Sequence, residues 1–193
     1  MPEERRRDPV YRNITRITAF LLAPVACLVT PGRGRHTACQ WALALRFPEE
    51  NLDGLRPDVR TAFEEARTRA LWWHGELVGL TSGYRTATRQ AVLYAEELRR
   101  SGSVAAARRW VLPPDESRHV AGTAMDVRPT EGARWLEEHG GRHGLYRVYD
   151  NEWWHFEYWP DGPPRRLPHP GVVSEQEAAL RNLWRGGGPP GRT

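Results

Sequence analysis

Two short stretches of this 193-residue chain carry imidazoles and carboxylates at spacings that suit metal chemistry. In Ser117-Arg118-His119-Val120-Ala121-Gly122-Thr123-Ala124-Met125-Asp126 an imidazole and a carboxylate stand seven residues apart, separated by a glycine and small side chains. In Asn151-Glu152-Trp153-Trp154-His155 a carboxylate precedes a second imidazole by three residues within an aromatic run. His119, Asp126 and His155 together make a three-ligand set of the kind that holds zinc and leaves a fourth position for water. Hydrolysis then needs a carboxylate outside that set to take a proton from the water and pass it to the leaving amine, and Glu152 fits. Glu157 is the rival. Strand alternation puts Trp153, His155 and Glu157 on one face, so Glu152 serves only if the chain bends there, as the turn-prone Asp150-Asn151 pair allows. His36, His74, His139, His143 and His169 have no acidic partner at a telling spacing and are set aside as surface or capping residues.

Composition removes several other chemistries. All 28 basic residues are arginine. Without lysine the chain has no Walker-type phosphate loop, no Schiff-base nucleophile and no Ser-x-x-Lys peptidase pair. Its two cysteines, Cys27 and Cys39, are too few for a disulfide scaffold or a thiolate zinc finger, so a metal must be held by His and carboxylate. The net charge of +4 comes from the flanks: residues 1–16, 17–39 and 161–193 each carry +2, while 40–160 holds 16 Arg against 18 acids. A slightly acidic middle without a basic stripe argues against nucleic acid as a partner.

The elements that must position these residues follow from periodicity. Pro57 opens a helix over about 57–71, with Val59, Phe63, Ala66 and Ala70 on one side. Residues 76–81 read as a strand, Thr86 caps a helix over about 87–100, 124–127 read as a strand, and Thr130 caps a helix over 131–139. Strands over 145–149 and 153–159 follow, joined through Asp150-Asn151, with Trp154, Phe156 and Tyr158 expected in the core and Trp153 and Trp159 beside the cleft. Helices and strands without strict alternation give an α+β domain over about 40–162 around a small antiparallel sheet with flanking helices.

Residues 1–39, with Arg5-Arg6-Arg7 before an apolar run from Ala19 to Val29, read as an export signal or membrane anchor and linker. This implies an extracytoplasmic location. Residues 163–193 read as a proline-rich arm, a short helix opened by the Ser174-Glu175-Gln176-Glu177 capping box, and a disordered tail.

Taken with Ser82-Gly83-Tyr84-Arg85 upstream, the two motifs resemble the signature of the zinc D-alanyl-D-alanine carboxypeptidases and dipeptidases, the VanY-like and VanX-like metallopeptidases. These share their site architecture with lysostaphin-type endopeptidases and the hedgehog fold. The pattern Ser-x-His-x-x-Gly-x-Ala-x-Asp followed by Glu-x-x-His is filled at every fixed position, and the resemblance spans about residues 52–160. It implies one zinc per chain on His119, Asp126 and His155, Glu152 as general base, and Arg85 as the group that polarises the scissile carbonyl. It also implies that Gln90 and Ser117 hydrogen-bond the substrate, a peptidoglycan stem peptide ending in D-Ala-D-Ala. Arg128 and Pro129 depart from the pattern by adding bulk after the ligand strand. Spacing alone indicates hydrolysis and not which bond, so an endopeptidase, a D-Ala-D-Ala dipeptidase and a non-catalytic zinc-containing wall-binding module remain as alternatives.

Overall fold

The segments carrying the two motifs meet in one antiparallel sheet. Its strands are β1 (Gly79–Ser82), β2 (Ala124–Arg128), β3 (Leu145–Arg147) and β4 (His155–Tyr158), in the spatial order β1-β2-β4-β3. A computed structural model describes residues 3–172. Within them the α-helices are α1 (Glu3–Val29), α2 (Gly34–Arg46), α3 (Pro57–Arg69), α4 (Ala87–Ser101), α5 (Val104–Arg108) and α6 (Thr130–His139). The α+β class and the small antiparallel sheet with flanking helices are as the sequence implies.

Alternation along the central strands makes the sheet two-faced. Met125 and Val127 of β2 and Phe156 of β4 are buried against Val59, Phe63 and Ala66 of α3 and Leu136 of α6. Each such side chain contributes on the order of 1.5–3 kcal/mol through removal from water. The residues between them, Asp126 on β2 and His155 and Glu157 on β4, face the other way, and the cleft lies on that side. At the sheet edge, the Leu80 amide of β1 donates to Glu50 Oε1, and Glu50 pairs at 2.9 Å with Arg67, a guanidinium only 1% exposed. Glu50 thus ties the chain before α3 to both the helix and the open strand edge.

Several element boundaries differ from the sequence reading, for local reasons. α3 ends at Arg69 and continues as one wider turn over Ala70–His74. The strand expected over 76–81 lies at 79–82, and that expected over 153–159 begins only at His155. Glu152 to Trp154 form a turn instead, with the His155 amide 3.3 Å from the Glu152 carbonyl. The chain therefore bends where Glu152 needs it to.

The N-terminal segment forms two helices. α1 and α2 run antiparallel: Thr30 and Thr37 hydroxyls meet at 2.7 Å at one end, while the Arg46 guanidinium lies 4.6 Å from the Tyr11 ring at the other. Gly34 permits the close approach, since a side chain there would collide with Cys27. The hairpin rests on the domain through a second cluster of Ala19, Cys39, Leu43, Leu71 and Leu77. The expected boundary between residues 39 and 40 falls inside α2. Pro9–Val29 is long and apolar enough to cross a membrane. At the other end, Leu167 bridges to Tyr149 and Arg166 reaches Glu137 and Asp150, so the proline-rich arm lies along the domain. The helix expected from Ser174 lies outside the described residues.

Candidate metal centre

Three elements bring the two motifs to one point. Asp126 and His155 are direct cross-strand partners in the β2/β4 register. His119 arrives from a compact turn in which the Val120 and Ala121 amides donate to the Ser117 carbonyl and the Gly122 amide to that of His119. Gly122 takes φ +68° there, and a side chain would meet the Gly54 carbonyl oxygen at 2.7 Å, so glycine is required on both counts. Among the described residues, His119, Asp126 and His155 are the group whose donor atoms all lie within 4.8 Å of one another.

The hydrogen bonds fix which imidazole nitrogens face the centre. His119 Nδ1 lies 2.7 Å from the Gly83 carbonyl, which can only accept, so Nδ1 carries the proton and Nε2 presents its lone pair 3.3 Å from Asp126 Oδ1. His155 has the opposite orientation, with Nε2 at 3.3 Å from Glu157 Oε1 and Nδ1 at 3.1 Å from Asp126 Oδ1. Two nitrogens and one carboxylate oxygen converge, each ring braced from behind by an acceptor, and this is the donor set and outer bracing that zinc sites use. The residues fit the metal.

Glu157 belongs to the bracing. Burial opposes its charge, but His155, Arg118 at 3.6 Å and the Trp159 indole at 3.0 Å outweigh it and hold the carboxyl below its ordinary value. The buried Tyr149 hydroxyl, raised by burial and by Glu157, also donates to it at 3.4 Å. Glu152 differs. Burial, reinforced by Asp126 and Glu157 and opposed by His155 and Arg85, pushes it up to about 7. Its Oε2 stands 3.8 Å from His155 Nδ1, on the side of the ring that faces Asp126.

Arg85 follows the irregularity at Leu80/Ser82 in β1, which re-aims the chain as it leaves the sheet. Its Nε donates to Ser82 Oγ at 2.8 Å and its Nη2 to Asp126 Oδ2. Thr86 caps α4 by accepting from the Arg89 amide, and the first turn buries Gln90 with its Nε2 at 2.7 Å from the Leu112 carbonyl. Among the described residues Gln90 Oε1 is buried without a partner and so is an available acceptor. Arg85, Gln90, Ser117, His119, Asp126, Glu152 and His155 all line one cavity of about 590 Å³.

The aromatic residues depart in part from expectation. Phe156 is core, but Trp154 lines the cavity, because the strand starts after it and alternation does not extend back that far. Trp153 is 38% exposed, and Trp159 braces Glu157 and lies under Arg118 without lining the cavity. Arg128 stacks over Phe47 and does not line the cavity. Sequence reasoning did not find Arg147. Its guanidinium donates to the carbonyls of Tyr149, Asp150 and Glu152, shaping the loop that carries Glu152. Of the histidines set aside, His36 lies 3.7 Å from Glu64 and His143 lies 3.8 Å from Glu65, acidic partners that sequence spacing did not reveal.

The family model described as VanY, D-alanyl-D-alanine carboxypeptidase, matches residues 53–161, more than half of the chain. The chain belongs to this family. The chain is similar to a D-alanyl-D-alanine carboxypeptidase of Enterococcus faecalis (strain ATCC 700802 / V583), at 28% identity in an alignment of 159 positions that covers 66% of this chain and 58% of the relative. The chain thus spans less than two thirds of that relative's length. Among solved structures, it is similar to a vancomycin-resistance D,D-pentapeptidase VanY in complex with Zn(II), at 27% identity and a TM-score of 0.49 over 56% of this chain and 76% of that one. It is also similar to VanYB in complex with D-alanine-D-alanine, at 22% identity and a TM-score of 0.49 over 66% of this chain and 78% of that one.

Proposed function

We propose that this VanY-family chain is a zinc-dependent D-alanyl-D-alanine carboxypeptidase that removes the terminal D-alanine of peptidoglycan stem peptides on the outer side of the cytoplasmic membrane. The observation that carries the reading is the convergence of His119, Asp126 and His155 beside a separate buried carboxylate, Glu152, in one cavity. Membership of a family described by this activity supports the choice of bond.

One zinc would be held by the two imidazoles and Asp126. Bound there, it supplies Lewis acidity toward a water and a peptide carbonyl. Glu152 accepts the proton of the attacking water and delivers it to the departing amine; beside a dication it is held as the anion that a base must be. Arg85, fixed through Nε by Ser82, presents a permanent cation where the carbonyl oxygen gains charge. Gln90 Oε1, a buried acceptor unpartnered among the described residues, takes an amide N–H of the peptide, and Ser117 adds a hydroxyl to the same wall. Glu157 keeps His155 in orientation and does not exchange protons with substrate.

The test is product analysis by mass on three substrates: a D-Ala-D-Ala-ended pentapeptide, free D-Ala-D-Ala and a cross-linked muropeptide. Loss of one alanine from the pentapeptide, with the other two left intact, is expected. Cleavage of the free dipeptide or of the cross-link instead would overturn the carboxypeptidase reading in favour of a dipeptidase or endopeptidase on the same site.

A further inference from the structure

Outside the cleft, the outer face of the α1–α2 hairpin is an apolar surface that the site does not explain. Val10, Ile14, Ile17, Leu21, Val25 and Leu28 of α1 are all more than half exposed, with Leu21 at 75% and Leu28 at 83%. At 100° per residue they fall within about 80° of one another, so they form one straight apolar stripe along a helix of about 40 Å. Trp41 and Leu45 of α2 add exposed apolar surface to the same hairpin. The opposite side of α1 is committed to the protein: Ala19 is buried with Cys39, Leu43, Leu71 and Leu77, Arg12 bonds Glu76 at 2.8 Å and Arg16 bonds the Trp72 carbonyl at 3.1 Å.

Charge distinguishes the possible occupants of this face. From Pro9 to Pro48 there is no acidic residue, and besides Arg12 and Arg16, which bond the domain, Arg33, Arg35 and Arg46 are present. A second copy of the chain would bring two net-positive hairpins together, each with eight Arg against three acids, Glu3, Glu4 and Asp8, all within the first turns of α1. An anionic lipid surface offers the complementary charge at its headgroups and apolar volume just beneath them. A spanning orientation would require α1 to leave Glu76, Trp72 and the Leu43 cluster, exposing all three.

We infer that the α1–α2 hairpin is an in-plane membrane-binding surface, lying with the α1 stripe in the headgroup boundary of an anionic bilayer while its inner face stays docked on the domain. The hairpin packs on α3 and the turn after it, which cover the apolar face of the sheet, whereas His119, Asp126 and His155 lie on the other face. Membrane contact therefore turns the cleft away from the lipid. Given the proposed function, that direction is toward the polymer outside.

The test uses the full chain with preformed vesicles of phosphatidylcholine alone or with one quarter phosphatidylglycerol. Flotation with the anionic vesicles is expected. The double variant Leu21→Glu/Leu28→Glu should bind at least about tenfold less while keeping its zinc content and its turnover of soluble peptide. Equal flotation of variant and parent, or no flotation of either, overturns the inference, as does a lipid-free dimer that the double variant converts to monomer. Resistance of the bound protein to alkaline carbonate would show a spanning helix and overturn it too. Zinc and turnover are read in the same samples, so failure of the enzyme reading is seen separately.

Discussion

His155 and Glu157 share one face of β4, with Nε2 of the imidazole 3.3 Å from Oε1 of the carboxylate, so the second carboxylate of this strand is occupied behind a candidate ligand. Glu152, on the turn before the strand, is the carboxylate proposed as the base. Glu152→Gln should therefore retain zinc and lose at least about a hundredfold in kcat. Glu157→Gln should instead weaken zinc affinity by about ten- to a hundredfold and recover most of its turnover at saturating metal. Zinc titration alongside steady-state kinetics separates the two, and an exchange of these phenotypes would assign the base to Glu157.

Arg147 acts at one remove. It donates at 2.7 Å to the Asp150 carbonyl and at 3.3 Å to that of Glu152, holding the loop in the shape that sets the base. Arg147→Met should bind zinc normally but lose about tenfold in kcat with little change in KM, since misplacement of a catalytic group costs rate more than binding. A rise in KM alone would mean that the loop serves substrate binding instead.

Much of the site was legible because its residues lie in two local motifs, and the Asp126–His155 pairing follows once both are on neighbouring antiparallel strands. The preference for Glu152 over Glu157 rested on a bend that the Asp150-Asn151 pair allowed and spacing alone did not fix. It depends on where β4 begins, and that is decided by the His155 to Glu152 turn and by Arg147 reaching back from β3. The sheet and α3, α4 and α6 were readable from period and α4 also from its Thr86 cap, whereas Thr130, expected to cap α6, is its first helical residue and Pro129 precedes it without a side-chain cap. The docking of α2 was not, because Ala38, Cys39, Ala42 and Leu43 are small or ordinary apolar residues whose partners, Leu71 and Leu77, lie far along the chain. The lining role of Trp154 was hidden for the same reason as the base: alternation was carried back past the true start of the strand.

Glu50 and Arg67 form a buried ion pair at 2.9 Å between the chain before α3 and α3 itself. Removing one partner leaves the other charge without compensation in the interior, so Glu50→Ala should destabilise the fold by about 3–5 kcal/mol. The double variant Glu50→Leu/Arg67→Met should recover most of this loss. Chemical denaturation of the three proteins gives the comparison, and a near-neutral Glu50→Ala would show that water reaches the pair.

The arm should loosen in acid. Burial raises Glu137, but its bonds to Arg166 and Arg147 outweigh that and set its pKa below the ordinary 4.5. A carboxyl lowered on folding contributes stability that is fully present above the unfolded value and is lost as pH falls through the folded one. Proteolysis between residues 160 and 170 should therefore accelerate below about pH 4, before the core melts. Glu137→Gln should show the faster cleavage already at neutral pH. Because the carboxylate is 38% exposed, the effect should shrink in high salt.

The most direct measurement is the mass balance of a pentapeptide ending in D-Ala-D-Ala, incubated with protein stripped by a chelator and then titrated with zinc. Release of one alanine per peptide should appear in step with zinc, saturate at one ion per chain, and be absent at every zinc concentration in His119→Ala and His155→Ala. An intact peptide with fully zinc-loaded protein, or equal release by the two histidine variants, would contradict the assignment of this site as a zinc carboxypeptidase centre.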